Sequence, residues 1–228
     1  MSTLLAIETS GAVGSLALRC GSAVHERFIA SPRDQAQLLL PLIEELLRAG
    51  DVTVASLDAI VFGRGPGSFT GLRIAAAIAQ GLALAAQKPV VGISSLAAVA
   101  QNALDSAGVA RSLVCIDARM GEVYFGSFEA EHGLVRALGP ERVATPDRVT
   151  VPPGGRWTAL GGGFTAYLDA LAGVARQAEA VVADIAPRAR DLLRLADRDL
   201  AEGGAVAASA ALPSYLRDDS AWRRPRRD

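Results

Sequence analysis

A single lysine stands against 22 arginines, and the 228 residues include only two histidines and two cysteines. Each shortage closes off a class of chemistry. Lys88, just before Pro89, reads as a charge placed to suit a helix C-terminus, so Schiff-base catalysis has no other residue to rest on. His25 and His132 stand far in sequence from any cysteine and from each other. With no His-x-x-x-His or Cys-x-x-Cys pair, a zinc or non-haem iron site lacks its ligand set, and both histidines read as surface residues. Cys20 and Cys115 lie in apolar, strand-like runs and read as buried thiols. Net charge is −1, so the body of the protein exerts no bulk attraction on nucleic acid or an anionic membrane. The start, Met1-Ser2-Thr3-Leu4-Leu5-Ala6-Ile7-Glu8, lacks a basic region and soon meets an acid, unlike a signal peptide. The most apolar stretch, Ile74 to Ala86, reads as too short to span a bilayer. A cytoplasmic protein with no membrane partner is expected.

Half of the residues are apolar, enough for one large domain or two small lobes with real cores. The sharpest local feature is Gly63-Arg64-Gly65-Pro66-Gly67-Ser68-Phe69-Thr70-Gly71-Leu72-Arg73. An apolar run at 57–62 precedes it and fits a buried strand, and an Ala- and Leu-rich stretch to Gln87 follows and fits a helix. Four glycines and a proline on such a turn imply positive φ angles and no side-chain bulk over the backbone. Ser68 or Thr70 is a natural N-cap. The turn reads first as a device for close packing of strand and helix. Its alternative is an anion site at the helix start, with Arg73 in the first turn. The lysine of a Walker A loop is missing, and Pro66 stands where a nucleophile elbow needs glycine.

Three short strands are expected in the first thirty residues, at 4–8, 14–19 and 23–29. A helical stripe follows at Leu38, Leu39, Leu42, Ile43, Leu46 and Leu47, with Pro41 marking a kink or a helix start. After the glycine turn come a helix over 70–87, a strand over 89–93 and a helix capped by Ser94 to about Ala107. At Leu113 the opening pattern recurs. Leu113-Val114-Cys115-Ile116-Asp117 is again an apolar strand ending on an acid, and two more strands follow, the third after a turn at 131–133. Later come a strand into Gly161-Gly162-Gly163, a short strand at Val181-Val182, and a terminal helix over 187–201 with Pro187 at its start. The arginine-rich end, Trp222 to Arg227, reads first as a solvated tail and second as a contact for phosphates.

Duplicated halves, each opening with three strands of which the first ends on an acid, resemble the actin-like (ASKHA) ATPase superfamily. Gly65-Pro66-Gly67-Ser68-Phe69-Thr70-Gly71-Leu72-Arg73, Ile116-Asp117-Ala118-Arg119 and Pro213-Ser214-Tyr215-Leu216-Arg217 are more closely similar to the TsaB (YeaZ) family, over nearly the whole chain. The resemblance implies a two-lobed α/β actin-like fold of duplicated β-meander-led halves, the second reduced: lobes at 1–108 and 109–217, and a basic tail at 218–228. It implies a non-catalytic partner of a TsaD-type paralogue, working with a TsaE-type ATPase. Together they would move a threonylcarbamoyl group onto the adenosine beside the anticodon of tRNAs that read codons starting with A. A homodimer is implied when the paralogue is absent, and tRNA is met only through the complex.

In the superfamily, acids at the places of Glu8 and Asp117 handle metal and phosphate, and a turn like Gly161–Gly163 holds adenosine. Glu8 stands where Asp is usual. The TsaD-type His-x-x-x-His pair is replaced by Ser94-Ser95-Leu96-Ala97-Ala98-Val99-Ala100, and a histidine common in relatives near the first helix is missing from Ser31-Pro32-Arg33-Asp34-Gln35-Ala36. No catalytic residue, metal or cofactor is therefore assigned, and ATP or ADP is entertained only at the partner junction. The expected partner face and family motif comprise Leu39, Leu42, Leu46, Gly65, Pro66, Gly67, Ser68, Phe69, Thr70, Gly71, Arg73, Ala76 and Ala79. Arginine at Ala76 or Ala79 is expected to abolish pairing without unfolding the monomer. An ATP-dependent small-molecule kinase is the alternative, and a peptidase ranks last because no Ser-His-Asp or metal set is visible.

Overall fold

Leu4–Glu8 (β1) is buried at every residue because both of its faces are covered. Leu5 and Ile7 point to one side and Leu4 and Ala6 to the other, the period-two alternation of a central strand. The computed structural model describes residues 2–217, so the arginine-rich tail lies outside the described residues. β1 pairs antiparallel with β2 (Gly14–Cys20), which pairs antiparallel with β3 (Ala23–Ile29). Helix α1 (Gln35–Ala49) follows, then β4 (Ala59–Gly65), α2 (Phe69–Ala86), β5 (Val90–Ser94) and α3 (Ser95–Ala107). The second half runs β6 (Arg111–Arg119), β7 (Glu122–Glu131), β8 (Leu134–Ala137), β9 (Arg142–Ala144), β10 (Thr158–Leu160), α4 (Gly163–Ala166), α5 (Leu168–Ala175), β11 (Ala180–Val182) and α6 (Ala189–Ala201).

The first sheet has the order β3-β2-β1-β4-β5 and the second β8-β7-β6-β10-β11, with β9 added on β7. In each, a meander is followed by parallel strands on the far side of its first strand. This is the duplication expected of the two-lobed actin-like α/β fold. The second copy is reduced: β10 and β11 have three residues each, and α4 and α5 stand where the first half has the 18-residue α2.

Side-chain alternation sorts the core into layers. Leu5, Ile7, Leu16, Leu18, Ile60 and Phe62 meet α1 and α2. On the other face, Leu4, Ala6, Ala17 and Val61 join α3, α6 and the near face of the second sheet, including Val114, Phe128 and Leu160. Leu113, Cys115, Phe125 and Trp157 face outward to Phe164 and Leu171 of α4 and α5. Each fully buried Leu, Ile or Phe contributes about 1.5–3 kcal/mol. The central layer has a crossed origin. Helix α6, from the second half, packs on β1, β2, β4 and β5, while α3, from the first half, packs on β6, β7 and β8. The Ser15 hydroxyl of β2 accepts the Ala189 N–H at 2.8 Å and so caps α6 from another strand.

Several boundaries differ from expectation. β4 starts at Ala59, because Val54–Ser56 forms a 3₁₀ turn, and it runs on into the glycine segment as far as Gly65. α1 starts at Gln35 and continues through Pro41, which lies inside it. Pro187 precedes the Arg188 cap of α6 instead of occupying its first turn. Cys20, at the end of β2, is half-buried; Cys115 is buried, which pushes its thiol pKa up. α2 begins at Phe69, five residues before the apolar stretch that starts at Ile74. Its 18 residues, with a mean hydropathy of 1.5, pass the length and composition test for a membrane span. In the fold, Ala75, Ala76, Ala79 and Ala83 are buried in the core that α2 shares with the first sheet.

Candidate functional site

The glycine turn packs on the exit of β1. Ser10 O accepts the Ser68 N–H at 2.8 Å, and the Thr9 hydroxyl donates to Gly71 O at 2.7 Å. A Cβ at Gly71 would overlap Thr9 O, and one at Gly63 would overlap the Glu8 carboxylate. Glycine at 71 lets two backbones touch, and glycine at 63 leaves room for the Glu8 side chain. Ser68 is the N-cap of α2, accepting the Gly71 N–H at 3.3 Å. The close-packing reading of the turn therefore matches the geometry: the Ser68 and Gly71 amides face Ser10 O and the cap. The Gly65–Pro66 peptide is cis.

The two acids of the superfamily pattern are both occupied. Glu8 is 0 % exposed; its Oε1 accepts the Ser10 N–H at 2.5 Å and its Oε2 accepts the Ser95 hydroxyl at 3.0 Å. Burial pushes its pKa up, and the hydrogen bonds offset this only in part. Asp117 Oδ1 accepts the Arg119 N–H at 2.7 Å and the Tyr167 hydroxyl at 2.9 Å, and Oδ2 pairs with Arg119 Nη1 at 3.1 Å. The serines in place of the histidine pair have structural work. Ser94 caps α3 by accepting the Ala97 N–H at 3.1 Å and donates to Glu141, while Ser95 holds Glu8. Burial also pushes the Glu141 pKa up. Gly161 and Gly163 lie close against Cys115 O of β6. His25 is half-buried on β3, and His132 is exposed between β7 and β8.

A segment that the sequence marked only by resemblance completes the site. After α6 the chain returns along the first half. Val206 bridges Val90 of β5 with both backbone hydrogen bonds at 2.9 Å, and Ala211 O accepts Gln80 Nε2 of α2 at 3.0 Å. The Ser214 N–H donates to Arg64 O at 2.7 Å. The Tyr215 ring lies 5.7 Å from that of Phe69, and the Tyr215 hydroxyl accepts Arg73 Nε at 3.1 Å. The Arg73 guanidinium sits 3.8 Å from the Phe69 ring centroid, a cation–π contact worth about 0.5–1 kcal/mol at an exposed place. Arg217 then reaches Glu122 on β7. Residues 205–217 thus form a strap from β5, along α2, to the β6–β7 hairpin.

The residues expected on a partner face divide. Phe69, Thr70 and Arg73 are exposed at the head of α2. Ala76 (4 %) and Ala79 (0 %) face the core, as do Leu39 and Leu46 of α1, and Leu42 is half-buried against the same cluster. The α1 stripe that suggested Leu39, Leu42 and Leu46 binds that helix to its own sheet, and Ala76 and Ala79 pack in the same core, so arginine at either alanine would enter it. The outward side carries Leu38 and Leu40 on α1 and Ala77, Gly81 and Leu84 on α2, with Leu84 the most exposed at 75 %. Leu40, outside the α1 stripe, was the signal available in the sequence, whereas Leu38 was counted within that stripe.

The family model for TsaD, tRNA N6-adenosine threonylcarbamoyltransferase, matches residues 29–226. The chain is 37% identical over 228 residues to the tRNA threonylcarbamoyladenosine biosynthesis protein TsaB of Escherichia coli K12, covering 97% of each. It is 35% identical to the protein of the same name from Haemophilus influenzae, over 97% of this chain and 96% of that one. Among solved structures, YeaZ from Pseudomonas aeruginosa is similar with a TM-score of 0.90 and 43% identity, over 95% of this chain and all of that one. In sequence and in fold, the chain belongs to the TsaB (YeaZ) family.

Proposed function

We propose that this chain acts in tRNA threonylcarbamoyladenosine biosynthesis as the non-catalytic partner of a TsaD-type subunit. That pair transfers a threonylcarbamoyl group to the adenosine beside the anticodon of tRNAs that read codons starting with A. The observation that carries the reading is the fate of the Glu8 neighbourhood. Ser95 donates to Glu8, and Ser94 caps α3, where a TsaD-type subunit has its histidine pair. A carboxyl enclosed at 0 % exposure, with both oxygens engaged and its pKa raised, is set for packing and not for holding a metal–phosphate group. The outward sides of α1 and α2 supply the pairing face, with Leu38, Leu40 and Leu84 as apolar contacts. In this reading tRNA and a TsaE-type ATPase are met through the complex, a homodimer forms when the TsaD-type subunit is absent, and ATP or ADP binds only at the junction. The protein works in the cytoplasm.

Size-exclusion chromatography with light scattering tests the proposal, on this protein alone and mixed with the TsaD-type paralogue of its own organism. A one-to-one complex that restores tRNA modification supports it. ATP turnover by the lone protein, without a complex, would move the assignment to a small-molecule kinase.

A further inference from the structure

The turn between β6 and β7 carries three successive residues at positive φ: Arg119 (62°), Met120 (57°) and Gly121 (80°). Arginine and methionine keep that backbone only where their surroundings hold it. Within the hairpin, Asp117 Oδ1 holds the Arg119 N–H. From outside, Arg217 grips the same turn. Its Nη2 donates to Ala118 O at 3.1 Å and to Arg119 O at 3.4 Å, its Nε donates to Glu122 Oε2 at 3.1 Å, and its Nη1 faces Met120 Sδ at 3.4 Å. The Arg217 side chain is only 12% exposed. Two and three residues earlier in the same strap, Tyr215 engages Arg73 and Ser214 engages Arg64. One short segment thus ties a left-handed turn of the second half to the head of α2 in the first.

We infer that Arg217 is a positioning residue. By clamping the turn 118–121 it fixes the strap, and so presents Met120, Tyr215 and Arg73 as one composite surface for the TsaD-type subunit, beside the outward side of α2. This rests on the reading of α2 as the pairing face. Met120 is 70% exposed and faces Arg217, and Tyr215, two residues before Arg217, is 50% exposed; a pliable thioether and a stiff aromatic ring are both suited to a protein partner. Without the clamp, turn and strap move independently and the surface loses its shape before the fold does.

The test uses the full chain with four substitutions: Arg217→Ala, Arg217→Lys, Tyr215→Ala and Leu84→Arg. Three quantities are read for each: amide hydrogen exchange at 118–121 and 212–217, the affinity for the TsaD-type paralogue, and the melting temperature. Arg217→Ala is expected to speed exchange at both segments at least ten-fold and to weaken pairing at least ten-fold, with Arg217→Lys intermediate. Tyr215→Ala, which leaves the clamp in place, is expected to weaken pairing while exchange at 118–121 stays slow. It also keeps the inference testable should Arg217→Ala fail to fold. Unchanged exchange at 118–121 in Arg217→Ala, or unchanged pairing in both Arg217→Ala and Tyr215→Ala, overturns the inference. Leu84→Arg separates the two readings. Pairing lost there but kept in the strap variants overturns the inference about Arg217 and leaves the helix reading standing, whereas pairing lost in the strap variants but kept in Leu84→Arg overturns the reading of α2 as the pairing face.

Discussion

At the residue scale, glycines that look alike in sequence differ in what surrounds them. A Cβ at Gly71 would strike Thr9 O, a backbone atom that cannot swing away, whereas one at Gly81 meets nothing within 4 Å. Gly71→Ala should therefore cost about 3 kcal/mol or more, or prevent folding. Gly81→Ala, inside a helix, should add about 0.5–1 kcal/mol. Denaturant unfolding of both variants checks the contrast. Asp191 gives the clearest pH effect. It is 1 % exposed, and burial pushes its pKa from an ordinary 3.8 to about 6, although Arg188 Nε lies 3.2 Å away and pulls it down; Glu26 and Asp105 add like charge. The native state thus holds a proton that the unfolded state releases between about pH 4 and 6. The stabilisation from protonated Asp191 is complete below the unfolded pKa and is lost as pH rises through the folded one, by up to about 3 kcal/mol. Melting curves across that window should fall with rising pH, and Asp191→Asn should flatten the slope.

At the scale of elements, the two sides of α2 predict opposite outcomes for the same new charge. Ala79→Arg buries a guanidinium in the first core and should cost on the order of 4 kcal/mol. Leu84→Arg leaves the fold within about 0.5 kcal/mol and should abolish pairing with the TsaD-type subunit. Melting temperature and light scattering, measured together, separate these effects. The same helix marks where the sequence stops being legible. Its cap was narrowed to Ser68 or Thr70, of which the fold uses Ser68, and that of α3 at Ser94 was readable, because capping is a local hydrogen bond. The three opening strands and their recurrence after residue 110 were readable from short apolar runs and turns. The covered side of α2 was not, because alanine and glycine on every side leave no stripe to follow. The leucine stripe of α1 was clear, but all of it except Leu38 faces the sheet or packs against its core, so Leu39 and Leu46 read as docking residues when Leu38, at the edge of the stripe, and Leu40, outside it, are the exposed ones. The strap lay beyond any pattern. Pro213 to Arg217 has no periodicity, and its contacts reach 95 residues back to Glu122 and 142 back to Arg73.

At the scale of the whole molecule, the crossed middle layer makes the two sequence halves dependent on each other. The first sheet has one face covered by α6, and the second sheet by α3. A fragment of residues 1–108 should therefore fail to fold alone, exposing Leu4, Ala6, Ala17 and Val61, and should gain structure when residues 109–217 are added. Circular dichroism of each fragment and of their mixture checks this, and the intact chain should unfold in one transition. The same crossing has a consequence in time. On the ribosome, the opening sheet emerges early, while its cover, α6, ends at Ala201, roughly ninety residues after α3 ends at Ala107. At about 5–20 residues per second, that sheet waits on the order of 5–20 s with an oily face bare. The nascent chain is thus a natural client for holding chaperones during synthesis, and the finished protein is not.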